Sequence, residues 1–240
     1  GGIAHDFNNL LTGILGSAGL ARLQLADDHD AQVDLERVEA TARRAADLCR
    51  QMLAYAGRRG AADDPVDLAE LVCEITDLMR VSVHHNTAIE QRTMTAAGDA
   101  RRAVVLGDPT QLRQIVMNLV LNASDAIGSE PGGRIDITVE VVDVDDAALT
   151  AYDLVSGGPG AYVRLAVRDN GCGMSETVRN QIFEPFFSTK DTGHGLGLAA
   201  VLGIVRAHRG ALRVESELDH GSLFQLLFPC DDAMPHRDDS

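Results

Sequence analysis

Twice in its first 56 residues the chain places apolar side chains at alternating intervals of four and three. The first run is Ile3, Phe7, Leu10, Ile14 and Ala21, with Ser17 in the one weak slot; the second is Leu35, Val38, Ala42, Ala45, Cys49, Met52 and Ala56. This interval keeps the apolar groups on one narrow seam of a helix, as in a helical bundle. The polar run Asp27-Asp28-His29-Asp30 separates the two stretches, so they should form an antiparallel hairpin. One hairpin cannot bury both seams. Pairing with a second copy into a four-helix bundle, a homodimer, is therefore the physical expectation.

His5 stands off the seam. At roughly 100° per residue it shares a polar stripe with Asn8, Asn9 and Thr12, at i+3, i+4 and i+7. The stripe by itself allows two readings, a solvated face or an imidazole kept accessible for chemistry.

After the hairpin the pattern changes. GRRGAADDP at 57–65 has the glycine, charge and proline of a linker, and the residues after it mix helical and alternating periods. Residues 68–83 are helical by period, and 87–92 and 103–106 are short strand candidates. Residues 109–127 form a helix with Asp108 as N-cap and proline at its first position. RIDITVEV and YVRLAV alternate as half-buried strands do. Between them, DVDDAALTAYDLVSGGPG reads as an acidic, glycine-rich hairpin insertion to which the sequence attaches no function. A last helix over 198–208 precedes the strands ALRVES and SLFQLLF. Helices interspersed with largely antiparallel strands predict an α/β sandwich with helices on one face of a mixed sheet. The expected layout is a hairpin domain at 1–57, a linker at 58–66, an α/β domain at 67–230 and an acidic tail at 231–240.

A formal net charge of −15 argues against sequence-independent binding to nucleic acid or an anionic membrane, both of which need clustered cations. Cys49, Cys73, Cys172 and Cys230 are widely spaced, and His84 and His85, being adjacent, point apart. Neither a disulfide framework nor a cysteine/histidine metal site is indicated, which suits a reducing, cytoplasmic setting. No apolar run approaches the ~20 residues of a membrane span. A start inside a helical pattern, without an initiator methionine, is expected of a segment of a longer protein.

Three constellations in the second half carry chemistry. Asp169-Asn170-Gly171-Cys172-Gly173-Met174 follows a strand, where glycines let the backbone turn sharply and approach a flat ligand. Gly193-His194-Gly195-Leu196-Gly197-Leu198 runs into a helix, whose open N–H groups suit phosphate oxygens. Asn118 and Asn122 lie at i, i+4 among apolar neighbours, where carboxamide oxygens can ligate a hard cation. Each is weak alone.

Their order and spacing are specific together. The chain resembles, over nearly its whole length, the histidine kinases of bacterial two-component systems. AHDFNNLL resembles the phosphoacceptor H box, QLRQIVMNLVLNASDAI the N box, DNGCGM the G1 box, IFEPFFSTK the F box with its Thr-Lys extension, and GHGLGLA the G2 box. GALRVES and GSLFQLLFP resemble the closing strand pair of the same ATP-binding domain. The resemblance implies ATP and Mg²⁺ as cofactors, a homodimer, and a response-regulator receiver domain as partner. It implies that His5 accepts the γ-phosphoryl group, that Asn122 ligates Mg²⁺ with Asn118 alongside, and that Asp169 binds the adenine amino group, with Gly171 and Gly173 shaping that wall. Lys190 and the backbone of Gly193, Gly195, Leu196 and Gly197 would hold the phosphates under a lid, over a base closed by Phe183, Phe186 and Phe187. The stretch from Thr189 to Gly195 is brief, which implies a short lid. Asp6 and Asn9 resemble the positions with which such kinases orient the histidine and dephosphorylate their regulators.

Two other readings compete. A gyrase- or chaperone-type ATPase clamp needs a glutamate one turn before the Mg²⁺-binding asparagine to activate water, and that position is Asn118. A phosphotransfer adaptor with a degenerate nucleotide domain would not retain the glycine motifs, Asn122, Asp169 and Lys190 together.

Overall fold

The computed structural model describes residues 13, 16–22, 25, 31–35, 38, 64–80, 83, 87–94, 102–129, 131–190 and 195–231. The chain divides into two compact units, Gly1–Ala56 and Gly57–Ser240. In the first, residues 16–22 and 31–35 are helical. Gln32 joins them: its amide nitrogen donates to the carbonyls of Arg22 and Leu25 at 3.1 and 3.3 Å, and its amide oxygen accepts from Arg22 Nε. Val38, on the expected seam, is exposed, as are Leu20 and Val33, which the spacing puts off it.

The second unit opens with β1 (Asp64–Asp67) and α1 (Leu68–Met79), whose N-cap Asp67 accepts from the N–H groups of Ala69 and Glu70. There follow β2 (Thr87–Met94), β3 (Val104–Gly107), α2 (Pro109–Ile127) and β4 (Gly133–Val144). The chain continues through α3 (Asp146–Leu149), β5 (Leu154–Val155), β6 (Gly160–Asp169) and α4 (Glu176–Gln181), and ends with α5 (Gly197–Ala207), β7 (Ala211–Ser216) and β8 (Ser222–Pro229). The linker expected at 58–66 overlaps structure, because Asp64–Val66 pair with Leu106–Gly107 and Val105 in an antiparallel ribbon. Proline is tolerated on such an edge, so a linker-like composition does not exclude a strand. Asp231, assigned to the tail, still donates its N–H to the Val104 carbonyl.

The main sheet has six strands in the order β2-β4-β6-β8-β7-β5. Among the described residues only β2 and β4 run parallel, which fits the long crossover through β3 and α2 that joins them. Alternation predicts the inner face. Ile137, Val167, Phe224 and Val214 line up across four strands, and Val139, Leu165, Leu226 and Leu212 form the next row. All are buried, and α1, α2 and α5 cover them with Leu68, Val72, Ile115, Val116, Leu119, Val201 and Ile204. The α/β architecture with a mixed, largely antiparallel sheet is as expected.

The acidic insertion is not a bare hairpin. It folds as α3 and β5; β5 pairs with β7, and Asp153 accepts from the N–H of Val214 at 3.0 Å. Leu149 joins Val144, Tyr162, Ala211 and Leu227 in a second, smaller cluster. Those strand residues alternate with the inner row, so the insertion covers the opposite face of the sheet.

Candidate functional site

The site is organised around the second half of α2. Asp108 caps this helix by accepting from Thr110 N–H at 2.8 Å. Its backbone N–H donates in turn to Nε2 of buried His208 at 3.3 Å, while His208 Nδ1 lies 2.9 Å from the Ile204 carbonyl. This fixes the tautomer, with the proton on Nδ1, and ties the end of α5 to the start of α2. Gly107 is needed here, since a Cβ would run into the His208 ring.

Asn118 and Asn122 are half-buried on α2, beside buried Leu119, Val120 and Ala123. Asn118 donates from Nδ2 to the carbonyl of Gly197 at 3.1 Å, so it anchors the first residue of α5. Asn122 forms no side-chain hydrogen bond among the described residues. Among the described residues no side chain caps the first N–H groups of α5.

Gly195 is held against the phenylalanine segment: its carbonyl accepts from Phe186 N–H at 2.9 Å. Its φ is +63°, and a Cβ would meet the Phe187 nitrogen at 2.6 Å, so only glycine fits. Phe183 and Phe187 pack on the main core, whereas Phe186 is 63% exposed with φ +70°. Of the three phenylalanines expected at the base of the lid, Phe183 and Phe187 thus belong to the domain core and Phe186 faces solvent. Phe186 holds this left-handed backbone while donating its N–H to Gly195. Lys190 follows, its Nζ 2.7 Å from Asp125 Oδ2 one helical turn past Asn122.

Asp169 ends β6 and is 5% exposed. Its Oδ1 accepts from the N–H groups of Gly171 at 2.9 Å and Ser222 at 3.2 Å; its second oxygen takes no hydrogen bond among the described residues. Burial raises its pKa above the usual aspartate value, opposed by those two N–H groups and by the charge of Arg168. Gly171 lies directly on the end of α2, where a Cβ would sit 2.6 Å from the Ala126 carbonyl oxygen. Cys172 N–H donates to that oxygen at 3.0 Å. Gly173 has φ +61°, with the Glu217 carbonyl occupying the place of a Cβ.

Thus α2 contacts all three of the other motifs: Asn118 meets Gly197, Asp125 meets Lys190, and Ala126 meets Gly171 and Cys172. His5, Asp6, Asn9 and Gly193 lie outside the described residues. Sequence reasoning gave no role to Asp125, Asn170 or Ser222. Asn170 accepts from Arg134 N–H at 2.7 Å and donates to the Gly132 carbonyl at 2.9 Å, clamping the Asp169 loop to the start of β4. Only the asparagine of a strand-ending turn hinted at this; the partners of the other two residues are more than 50 positions away.

Residues 107–232 match the family described as histidine kinase-, DNA gyrase B-, and HSP90-like ATPase. The sensor kinase CckA of Brucella abortus is 34% identical over 95% of this chain and 24% of its own length. Sporulation kinase C of Bacillus subtilis is 29% identical over 95% of this chain and 47% of its own. The chain thus spans a quarter to a half of these curated relatives. The full-length ShkA structure in complex with AMPPNP aligns with a TM-score of 0.70 and 26% identity, over 97% of this chain and 46% of that one. With more than half of its residues inside the matched region, the chain belongs to the histidine kinase-, gyrase B- and HSP90-like ATPase family, as a two-component histidine kinase catalytic region.

Proposed function

We propose that this segment binds Mg²⁺-ATP, transfers the γ-phosphoryl group to His5, and passes it to an aspartate on a response-regulator receiver domain. The mounting of Asp169 carries the reading. With Oδ1 held by Gly171 and Ser222, the second oxygen is set to accept from the exocyclic amino group of adenine. The uncapped start of α5, with Gly195, Leu196 and Gly197, and the Lys190 ammonium suit the phosphates at the other end of α2's contacts. Gly193 takes the same part.

The donor set fits Mg²⁺, a hard cation held mainly by substrate phosphates and water: Asn122 offers an uncommitted, half-buried carboxamide oxygen, and Asn118 keeps its own oxygen as an acceptor. When bound, Mg²⁺ would neutralise charge on the phosphate oxygens. Lys190 and the α5 backbone would stabilise the same charge as it spreads in the transition state. The neutral His5 imidazole attacks phosphorus in line. An N–P bond forms as the bond to the departing ADP breaks, and Asp6 orients the ring and stabilises its developing charge. Asn9 would orient water for regulator dephosphorylation.

Asn118 speaks against the clamp alternative. A water-activating base would stand there, but the residue is a carboxamide engaged in holding Gly197. Homodimerisation through the hairpin is supported by its two apolar seams, which one hairpin cannot bury by itself.

The test is incubation with γ-labelled ATP and Mg²⁺ followed by acid and alkali. An acid-labile, alkali-stable label identifies a phosphoramidate, and His5→Ala should abolish it while leaving ATP affinity nearly unchanged. Normal labelling of His5→Ala would sink the proposal.

A further inference from the structure

We infer that Asp125 is a positioning residue that stores the Lys190 ammonium beside the phosphate end of the site and gives it up to a polyphosphate. The inference rests on the proposed role of Lys190. Three observations carry it. Lys190 Nζ and Asp125 Oδ2 are 2.7 Å apart, with side chains 39% and 51% exposed. Asp125 sits at i+3 from Asn122 on α2, so the stored ammonium lies one turn from the carboxamide proposed to meet the metal. The backbone of Lys190 is held independently: its N–H donates to Ser188 Oγ at 3.1 Å, and that hydroxyl lies 3.2 Å from the Lys190 carbonyl. The side chain can therefore change partner while its backbone keeps its place.

The magnitudes favour such an exchange. An ion pair this exposed is weak, because water screens it and both side chains lose rotamer freedom. A polyphosphate presents several charges and more acceptors than one carboxylate, so it outcompetes Asp125 for the ammonium. Without a nucleotide the pair keeps Lys190 near the site rather than free in solvent, and it offsets the repulsion that Asp125 would exert on an arriving anion. The cost appears as lost affinity. Breaking the pair opposes binding of phosphorylated nucleotides and leaves adenosine untouched.

Calorimetric titration of the whole chain with adenosine, ADP and Mg²⁺-ATP tests this. Asp125→Asn should bind ATP about two- to fivefold more tightly, the range expected for an exposed pair. The gain should be absent for adenosine, should shrink at high salt, and should be smaller in the Lys190→Ala background. Asp125→Glu, which restores the carboxylate, should return affinity toward wild type. Three results overturn the inference: equal or weaker ATP binding by Asp125→Asn, an equal gain for adenosine, or an undiminished gain without Lys190, which would make Asp125 a simple repulsive charge. If instead wild type fails to bind ATP, or Asp169→Asn binds it normally, the proposed nucleotide site itself falls.

Discussion

At the residue scale, Asp169 shows how a buried carboxylate is aimed. Two backbone N–H groups occupy one oxygen, so an asparagine replacing it would keep its carbonyl on those donors and turn its NH₂ toward the ligand. Two donors would then face each other. Asp169→Asn should weaken ATP binding by about 1.5–3 kcal/mol, roughly tenfold or more, measured by titration calorimetry. The pH dependence follows from the raised pKa. Affinity should fall on acidification, starting at a higher pH than the ~3.9 of an ordinary aspartate would give. Stability has the opposite sign, because the folded state holds this proton more tightly than the unfolded chain. The contribution is full below the unfolded pKa and is lost as pH rises through the folded one. Asp169→Asn should therefore gain stability relative to wild type as pH rises across that window, which denaturation at several pH values would measure. Asp169 was legible in DNGCGM because a carboxylate at a strand end followed by two glycines has a local signature. Asp125 was not, because its partner Lys190 lies 65 positions away and only the packing of α2 brings them together.

At the element scale, glycines in similar motifs do different work. Gly173 and Gly195 have φ of +61° and +63°, and backbone atoms fill the space of their missing Cβ atoms. Gly197 has ordinary helical backbone, and its nearest neighbour, Asn118, is 3.7 Å from a built Cβ. Gly173→Ala and Gly195→Ala should each cost about 2 kcal/mol or more in chemical denaturation, whereas Gly197→Ala should leave stability within about 1 kcal/mol of wild type. The sequence shows only that all are glycine; which need to be is decided by what packs against them. The insertion teaches a similar lesson. Its acidic, glycine-rich composition hid Leu149, which caps the second apolar cluster. Leu149→Ala should destabilise the domain by about 2 kcal/mol, at the low end for a buried leucine because the cluster is small. It should leave ATP affinity unchanged, since it lies across the sheet from α2; loss of binding in a folded variant would contradict that separation.

At the scale of the whole molecule, the proposed chemistry divides between two units, with the acceptor in one and the nucleotide machinery in the other. Variants on the His5 stripe should therefore separate activities without touching nucleotide affinity. Asn9→Ala should retain autophosphorylation and lose regulator dephosphorylation, whereas Asp6→Ala should lose autophosphorylation first. Following His5 labelling alongside decay of phosphorylated regulator checks this; wild-type dephosphorylation by Asn9→Ala would remove the amide from that role. The sequence by itself determined the α/β class of the second unit, the limits of α2, the alternating strands and the residues of the glycine motifs, because periodicity, capping and turn chemistry act over a few neighbouring positions. Tertiary structure alone decided that β2 and β4 pair in parallel, that Asp64–Val66 form a strand rather than a linker, that Phe186 faces outward, and that Asn118, Asp125 and Ala126 each receive a different motif. Most of those outcomes depend on contacts between residues tens of positions apart, whose free energy is set by which surfaces meet when the sheet and its helices close on one core.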